Sequence, residues 1–152
     1  MEKIRVTCSC KGCKCEFIYE KTCENGLEAE KVKKWAARYK KICPVCLEKE
    51  REQQRLERAQ MLGLPQVIGC SNKQIAYAEK LRDSYIVANM ELVLSAKEHL
   101  EKIDPARVEQ IAKQWGLKKE TCIPEAFKGV GMYEEYICLT EENAPKIIEV
   151  LK

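Results

Sequence analysis

Two Cys-x-x-Cys pairs, Cys10-Lys11-Gly12-Cys13 and Cys43-Pro44-Val45-Cys46, are the residues of this chain best suited to chemistry. Each pair spans a tight turn that sends both sulfurs to one side. Two such pairs supply the four thiolates of a closed tetrahedral site, so Zn2+ is the expected cofactor. Its expected ligands are Cys10, Cys13, Cys43 and Cys46. Cys8 and Cys15 flank the first pair, which leaves two other registers open: Cys8 with Cys10, or Cys13 with Cys15. A second ion on Cys8, Cys15 and Cys23 is a further alternative. His99, the only histidine, lies far along the chain and is expected on a helix rather than on the metal.

Enzymatic chemistry is not expected. A hydrolytic zinc ion needs an open coordination position, and an all-cysteine site has none. The sequence holds no Walker A, GxGxxG or HExxH pattern. A cysteine nucleophile would have only His99 as its base, with no local signature around either.

Elements that would position the cysteines can be read on both sides of them. Met1–Val6 alternates as a short strand, and Glu16–Glu20 reads as a second one, aromatic and β-branched. Asn25-Gly26 is a turn signal. Leu27–Lys41 favours a helix, with Leu27, Val32, Trp35, Ala36 and Tyr39 available for one face. From Cys46 to about Met61 the chain is highly charged and poor in apolar residues, the mark of a solvated helix in which Glu48 pairs with Arg51 and Glu52 with Arg55. Gly63-Leu64-Pro65 ends it.

The second half reads as mainly helical. Ser71 and Gln74 have the spacing of a capping box. Ile75, Ala78, Leu81, Tyr85, Ala88, Leu92, Ala96 and Ile103 follow helical spacing behind it, with a break near Asn89. Asp104-Pro105 starts another helix, which ends at Trp115 with Gly116 as its stop. Tyr133–Leu139 reads as a strand, and Thr140–Lys152 as a last helix with Ile147, Ile148 and Leu151 inward. The expected architecture is α+β. A four-cysteine ribbon with an inserted helix occupies residues 1–47, a charged helical linker residues 48–64, and a mainly α-helical domain, with one or two short strands, residues 65–152.

Two segments resemble known families. Cys10-Lys11-Gly12-Cys13-Lys14-Cys15-Glu16-Phe17-Ile18-Tyr19, closed by Cys43-Pro44-Val45-Cys46, resembles small bacterial zinc-ribbon proteins that read CxxCGKEFxF and close with CPxC. The resemblance covers residues 8–50. It implies the same four ligands and places Phe17 beneath the first knuckle. Lys14 stands where that family has glycine, at a position that favours a left-handed backbone. Residues 64–82 resemble an LPxLxGSxKQIxWAxxIR motif of small uncharacterised bacterial and phage or mobile-element proteins, with Cys70 in place of its Gly and Tyr77 of its Trp. That likeness implies an origin and no mechanism.

The bulk composition fits a soluble globular chain, with 45% hydrophobic and 34% charged residues. Its most apolar run, Ile86–Leu94, is interrupted by Asn89 and Glu91, so no membrane partner is expected. Met1–Val6 has no apolar core for a signal peptide. Five of the ten cysteines fall within the first 23 residues, unlike an evenly spread disulfide framework. A reducing, cytoplasmic setting is therefore expected. Residues 1–65 carry 15 Lys/Arg against 10 Asp/Glu, and residues 66–152 carry 12 against 14, so the basic bias lies in the N-terminal half.

That bias points to DNA or RNA as the partner. Lys33, Lys34, Arg38, Lys40 and Lys41, with Lys11, Lys14 and Lys31, would contact phosphates, and Trp35 and Tyr39 would stack on bases. The competing account turns Trp35 and Tyr39 inward and leaves the lysines as a solvated helix face. The alternative function is protein interaction, such as that of a mobile-element factor binding a host or phage protein. Lys73, Gln74, Tyr77 and Arg82 would then form a recognition face, or Ile86, Val87, Met90, Val93 and Leu94 an apolar one.

Overall fold

The computed structural model describes residues 1–152 and is α+β, with one two-stranded antiparallel sheet and eight helices. The chain divides into two compact units, Met1–Arg55 and Leu56–Lys152. No helix is long and apolar enough to cross a membrane.

The N-terminal unit opens with β1 (Glu2–Ser9) paired to β2 (Glu16–Cys23), in a register that sets Val6 opposite Tyr19 and Cys8 opposite Phe17. Side chains alternate across a strand. Ile4 and Cys8 therefore point to one face and are buried there, with Val6 between them half-buried. Helix α1 (Gly26–Tyr39) packs on the sheet through Ala29 and Ala36. At the Asn25-Gly26 turn signal the chain passes from β2 into α1. Asn25 is the N-cap, its side chain accepting from the Glu28 amide at 2.9 Å, while the Glu28 carboxylate accepts from the Glu24 amide at 2.8 Å. Helix α2 (Pro44–Leu62) starts at the second Cys-x-x-Cys pair, and an ion pair between Glu52 and Arg55 lies along it.

The apolar interior of this unit is small. Apart from cysteines, its buried apolar residues are Ile4, Ala29 and Ala36, so Ile4 is the only large one. Units this short with so little core normally need a cross-link or a metal.

The C-terminal unit comprises α3 (Asn72–Ala88), α4 (Met90–Glu101), α5 (Pro105–Trp115), α6 (Lys119–Gly129), α7 (Tyr133–Thr140) and α8 (Ala144–Leu151), together with the end of α2. One core cluster joins Leu62, Ile86, Val93, Ala96, Phe127, Cys138 and Leu139. The other joins Val67, Ala78, Ile137, Ala144 and Ile147. Local signals place several boundaries. Ser71 caps α3 by accepting from the Gln74 amide, and the Gln74 side chain accepts from the Cys70 amide at 2.9 Å. Asn89 separates α3 from α4. Asp104 caps α5 ahead of Pro105, and Gly116 ends it at φ 64°.

Three expectations give way here. Tyr133–Leu139 is a helix, not a strand, because α7 buries Glu135, Ile137, Cys138 and Leu139 between the packed helices. The last helix starts at Ala144 rather than Thr140, since Ile68 and residues 142–144 form a short parallel bridge first. Ile86 and Val93 are core residues and cannot form an exposed apolar face, although Val87 and Leu94 remain exposed.

Candidate metal centre

The first knuckle follows directly from β1. The Cys10 amide donates to the Cys15 carbonyl at 2.8 Å and the Lys14 amide to the Cys10 carbonyl at 3.0 Å, closing a turn that carries Cys13. Lys14 lies at φ 63°, the only non-glycine residue with positive φ, so the left-handed position is occupied by a side chain that disfavours it. The second knuckle is the start of α2. Lys11 donates its amide to the Lys41 carbonyl at 2.8 Å, which ties the two knuckles together.

Cys10, Cys13, Cys43 and Cys46 place their four sulfurs within 4.8 Å of one another. The Cys13 and Cys43 sulfurs are 3.7 Å apart. A tetrahedron with zinc–sulfur bonds of about 2.3 Å has edges of about 3.8 Å, so that pair already has the spacing of two ligands on one ion. Backbone amides point at the sulfurs: Cys43 N–H donates to Cys10 Sγ at 3.3 Å and Cys46 N–H to Cys43 Sγ at 3.4 Å. A β-carbon on Gly12 would stand 3.3 Å from Cys46 Sγ and 3.7 Å from Cys10 Sγ, so glycine keeps the turn clear of the cluster.

The thiols of the cluster are electrostatically coupled. Donation from the Cys43 amide lowers the Cys10 thiol to about 6. The neighbouring Cys43, Cys13 and Cys10 sulfurs push Cys46 up to about 12, and Cys13 does the same to Cys15. The thiols thus compete for ionisation. A divalent ion among them would remove that competition and release the remaining protons. The donor set fits a thiophilic metal.

The other cysteines are placed differently. Cys8 and Cys23 are buried at opposite ends of the sheet ladder, Cys8 opposite Phe17 and Cys23 opposite Glu2. The Cys8 sulfur sits 3.7 Å from the Ala36 carbonyl, and Cys23 packs with Ile4 and Ala29. The second ion on Cys8, Cys15 and Cys23 is therefore not formed, and Cys8 does not pair with Cys10. Cys15 stands at the edge of the cluster, its sulfur 2.9 Å from that of Cys13. Cys138 is buried, Cys122 is half-buried and Cys70 is exposed. His99 holds the Ser95 carbonyl through Nδ1 at 2.8 Å, on α4. Phe17 is half-buried.

On α1, Lys31, Lys34, Trp35 and Arg38 share the face opposite the buried Ala29 and Ala36. Trp35 is 46% exposed and Tyr39 61%, so neither is buried beneath the metal centre. The Trp35 ring lies 6.0 Å from that of Tyr19, Arg38 covers Tyr39 at 5.5 Å, and Lys40 covers Tyr19 at 5.3 Å. Lys33 pairs with Glu30 at 3.3 Å and Lys41 donates to the Ala37 carbonyl at 3.0 Å, so both ammonium groups are drawn along the helix.

The residues expected as a partner-binding face in the C-terminal unit are less united. Lys73 and Tyr77 are exposed and Gln74 is engaged in capping. Arg82 is 6% exposed and donates to the Pro65 carbonyl at 2.9 Å. It holds the segment before α3 in place and is not presented for recognition. Sequence reasoning also missed the Tyr85 hydroxyl donating to Glu135 at 2.8 Å inside this unit, since Glu135 sat in a supposed strand. No protein-family model, curated protein or solved structure matches the chain.

Proposed function

We propose that this chain is a nucleic-acid-binding accessory protein whose N-terminal unit is a zinc ribbon, of the bacterial or phage kind that its two motifs resemble. Zn2+ on Cys10, Cys13, Cys43 and Cys46 is structural: it supplies the cross-link that a core of Ile4, Ala29 and Ala36 cannot replace. Four thiolates leave the ion no open position, so no catalytic role is assigned. Ten unpaired cysteines suit a reducing, cytoplasmic setting.

The observation that carries the reading is the outer face of α1. Residues 31–41 hold six Lys/Arg and no acid; Lys31, Lys34 and Arg38 share that face with the exposed Trp35, and Arg38 lies over the exposed Tyr39. Cations beside exposed aromatic side chains are the means by which unpaired bases are stacked and phosphates neutralised without sequence preference. Three such cations on a single strand predict a slope of log affinity on log salt of about −2.

The test is fluorescence anisotropy of the zinc-loaded protein with labelled single- and double-stranded DNA and RNA across a salt series. Binding that weakens with that slope, and is lost in Lys31→Glu/Lys34→Glu/Arg38→Glu at unchanged zinc content, supports the reading. Flat titrations at low salt refute it. They would move attention to the second reading, protein interaction, which the exposed Val87, Leu92 and Leu94 of the C-terminal unit favour.

A further inference from the structure

We propose that Cys15 is a standby ligand of the metal centre, one that takes the place of Cys13 without loss of the ion. The inference rests on the metal reading and is independent of nucleic-acid binding. A fifth sulfur stands at the edge of the four-cysteine cluster: Cys15 Sγ lies 2.9 Å from Cys13 Sγ, and Cys13 Sγ lies 3.7 Å from Cys43 Sγ. A tetrahedral ion with bonds of about 2.3 Å keeps its ligands about 3.8 Å apart. Cys13 and Cys15 are too close to bind one ion side by side, so they occupy one coordination position in alternation. The backbone makes this substitution local. Lys14, at φ 63°, reverses the chain between them, and the Cys10–Cys15 and Lys14–Cys10 hydrogen bonds hold the turn on either side.

The two buried ligands have no such understudy. Cys10 and Cys43 are 1% and 3% exposed, and each sulfur receives a backbone amide that fixes it. Cys13 and Cys15 are both exposed. The exchange balances without an outside reagent. Cys15 gives its proton to solvent as its sulfur binds the ion, and the departing Cys13 thiolate takes one up.

The experiment uses the full chain and its Cys13→Ser, Cys15→Ser, Cys13→Ser/Cys15→Ser and Cys10→Ser variants. Bound zinc is measured by mass spectrometry of the metal. The number of metal–sulfur bonds is read from the thiolate-to-metal absorption of the Co2+-substituted protein. Cys13→Ser and Cys15→Ser are each expected to hold one ion with the four-thiolate spectrum of the parent chain. The double variant and Cys10→Ser are expected to lose more than about 100-fold in affinity, beyond what the loss of a supporting group costs. If Cys13→Ser loses the ion as Cys10→Ser does, whether by losing the ligand or by failing to fold, the proposal is overturned. If Cys15→Ser alone loses it, Cys15 is an obligate ligand and the proposal is equally overturned. A parent chain that takes up no ion would remove the metal centre itself.

Discussion

Replacing Lys14 with glycine should strengthen the metal centre, although it deletes a side chain next to it. Lys14 holds a left-handed backbone at φ 63° within the first knuckle. That conformation costs an L-residue about 1–2 kcal/mol because its Cβ crowds the following carbonyl. Glycine is free of that strain, but its greater freedom in the unfolded chain takes back roughly 0.5–1 kcal/mol. The difference is a gain on the order of 0.5–1 kcal/mol. In a unit that folds on its metal the gain is read as affinity, and it corresponds to about 2–5-fold tighter zinc. The assay is competition of the full chain against a chromophoric zinc chelator at fixed pH. Lys14→Ala removes the same charge but keeps the Cβ, so it isolates the electrostatic part. Lys14→Asn, which tolerates the left-handed region better than most residues, should fall between the two. Zinc held no more tightly by Lys14→Gly than by Lys14→Ala would refute the strain argument.

Two further outcomes are expected. Stripping the metal with a chelator should abolish hydrogen-exchange protection in β1, β2 and α1 and leave α3 to α8 protected; loss in both units at once would contradict a centre that supports only the N-terminal one. Tyr85→Phe removes the partner of Glu135, whose other carboxylate oxygen is already buried without a hydrogen bond. It should cost about 2 kcal/mol and lower the melting of the C-terminal helices by roughly 10 °C, and an unchanged thermal transition would count against it.

Much of this structure can be read in local chemistry. Asp104-Pro105 and Gly116 bound α5, Ser71 starts α3 and Asn89 ends it, because caps act through side chains and backbone only a few residues apart. The four-cysteine cluster is legible for the same reason, as two turns with fixed spacing. What fails depends on distant partners. Tyr133-Glu134-Glu135-Tyr136-Ile137-Cys138-Leu139 is rich in strand-favouring residues, yet packing against α3, α4 and α8 makes it helical. Helix α6 keeps Pro124 in its interior, against its propensity. Arg82 carries a charge that suggests a surface, and only the fold shows the Pro65 carbonyl waiting for it. The closeness of Cys15 to Cys13 depends on a left-handed lysine that the residue type argues against.

The burial of Cys8 and Cys23 in so small an interior has a kinetic consequence. Both thiols are sheltered only while the sheet and α1 stay together. A unit that comes apart on losing its ion would expose Cys8, Cys10, Cys13, Cys15, Cys23, Cys43 and Cys46 together, on one short stretch of chain. In air those thiols pair with one another faster than they can be re-sorted, so demetallation becomes hysteretic: returning the ion would not return the fold until a reductant had reopened the wrong bridges. An ion held at this site would then act as a protecting group for the whole set of thiols, including the two that never touch it.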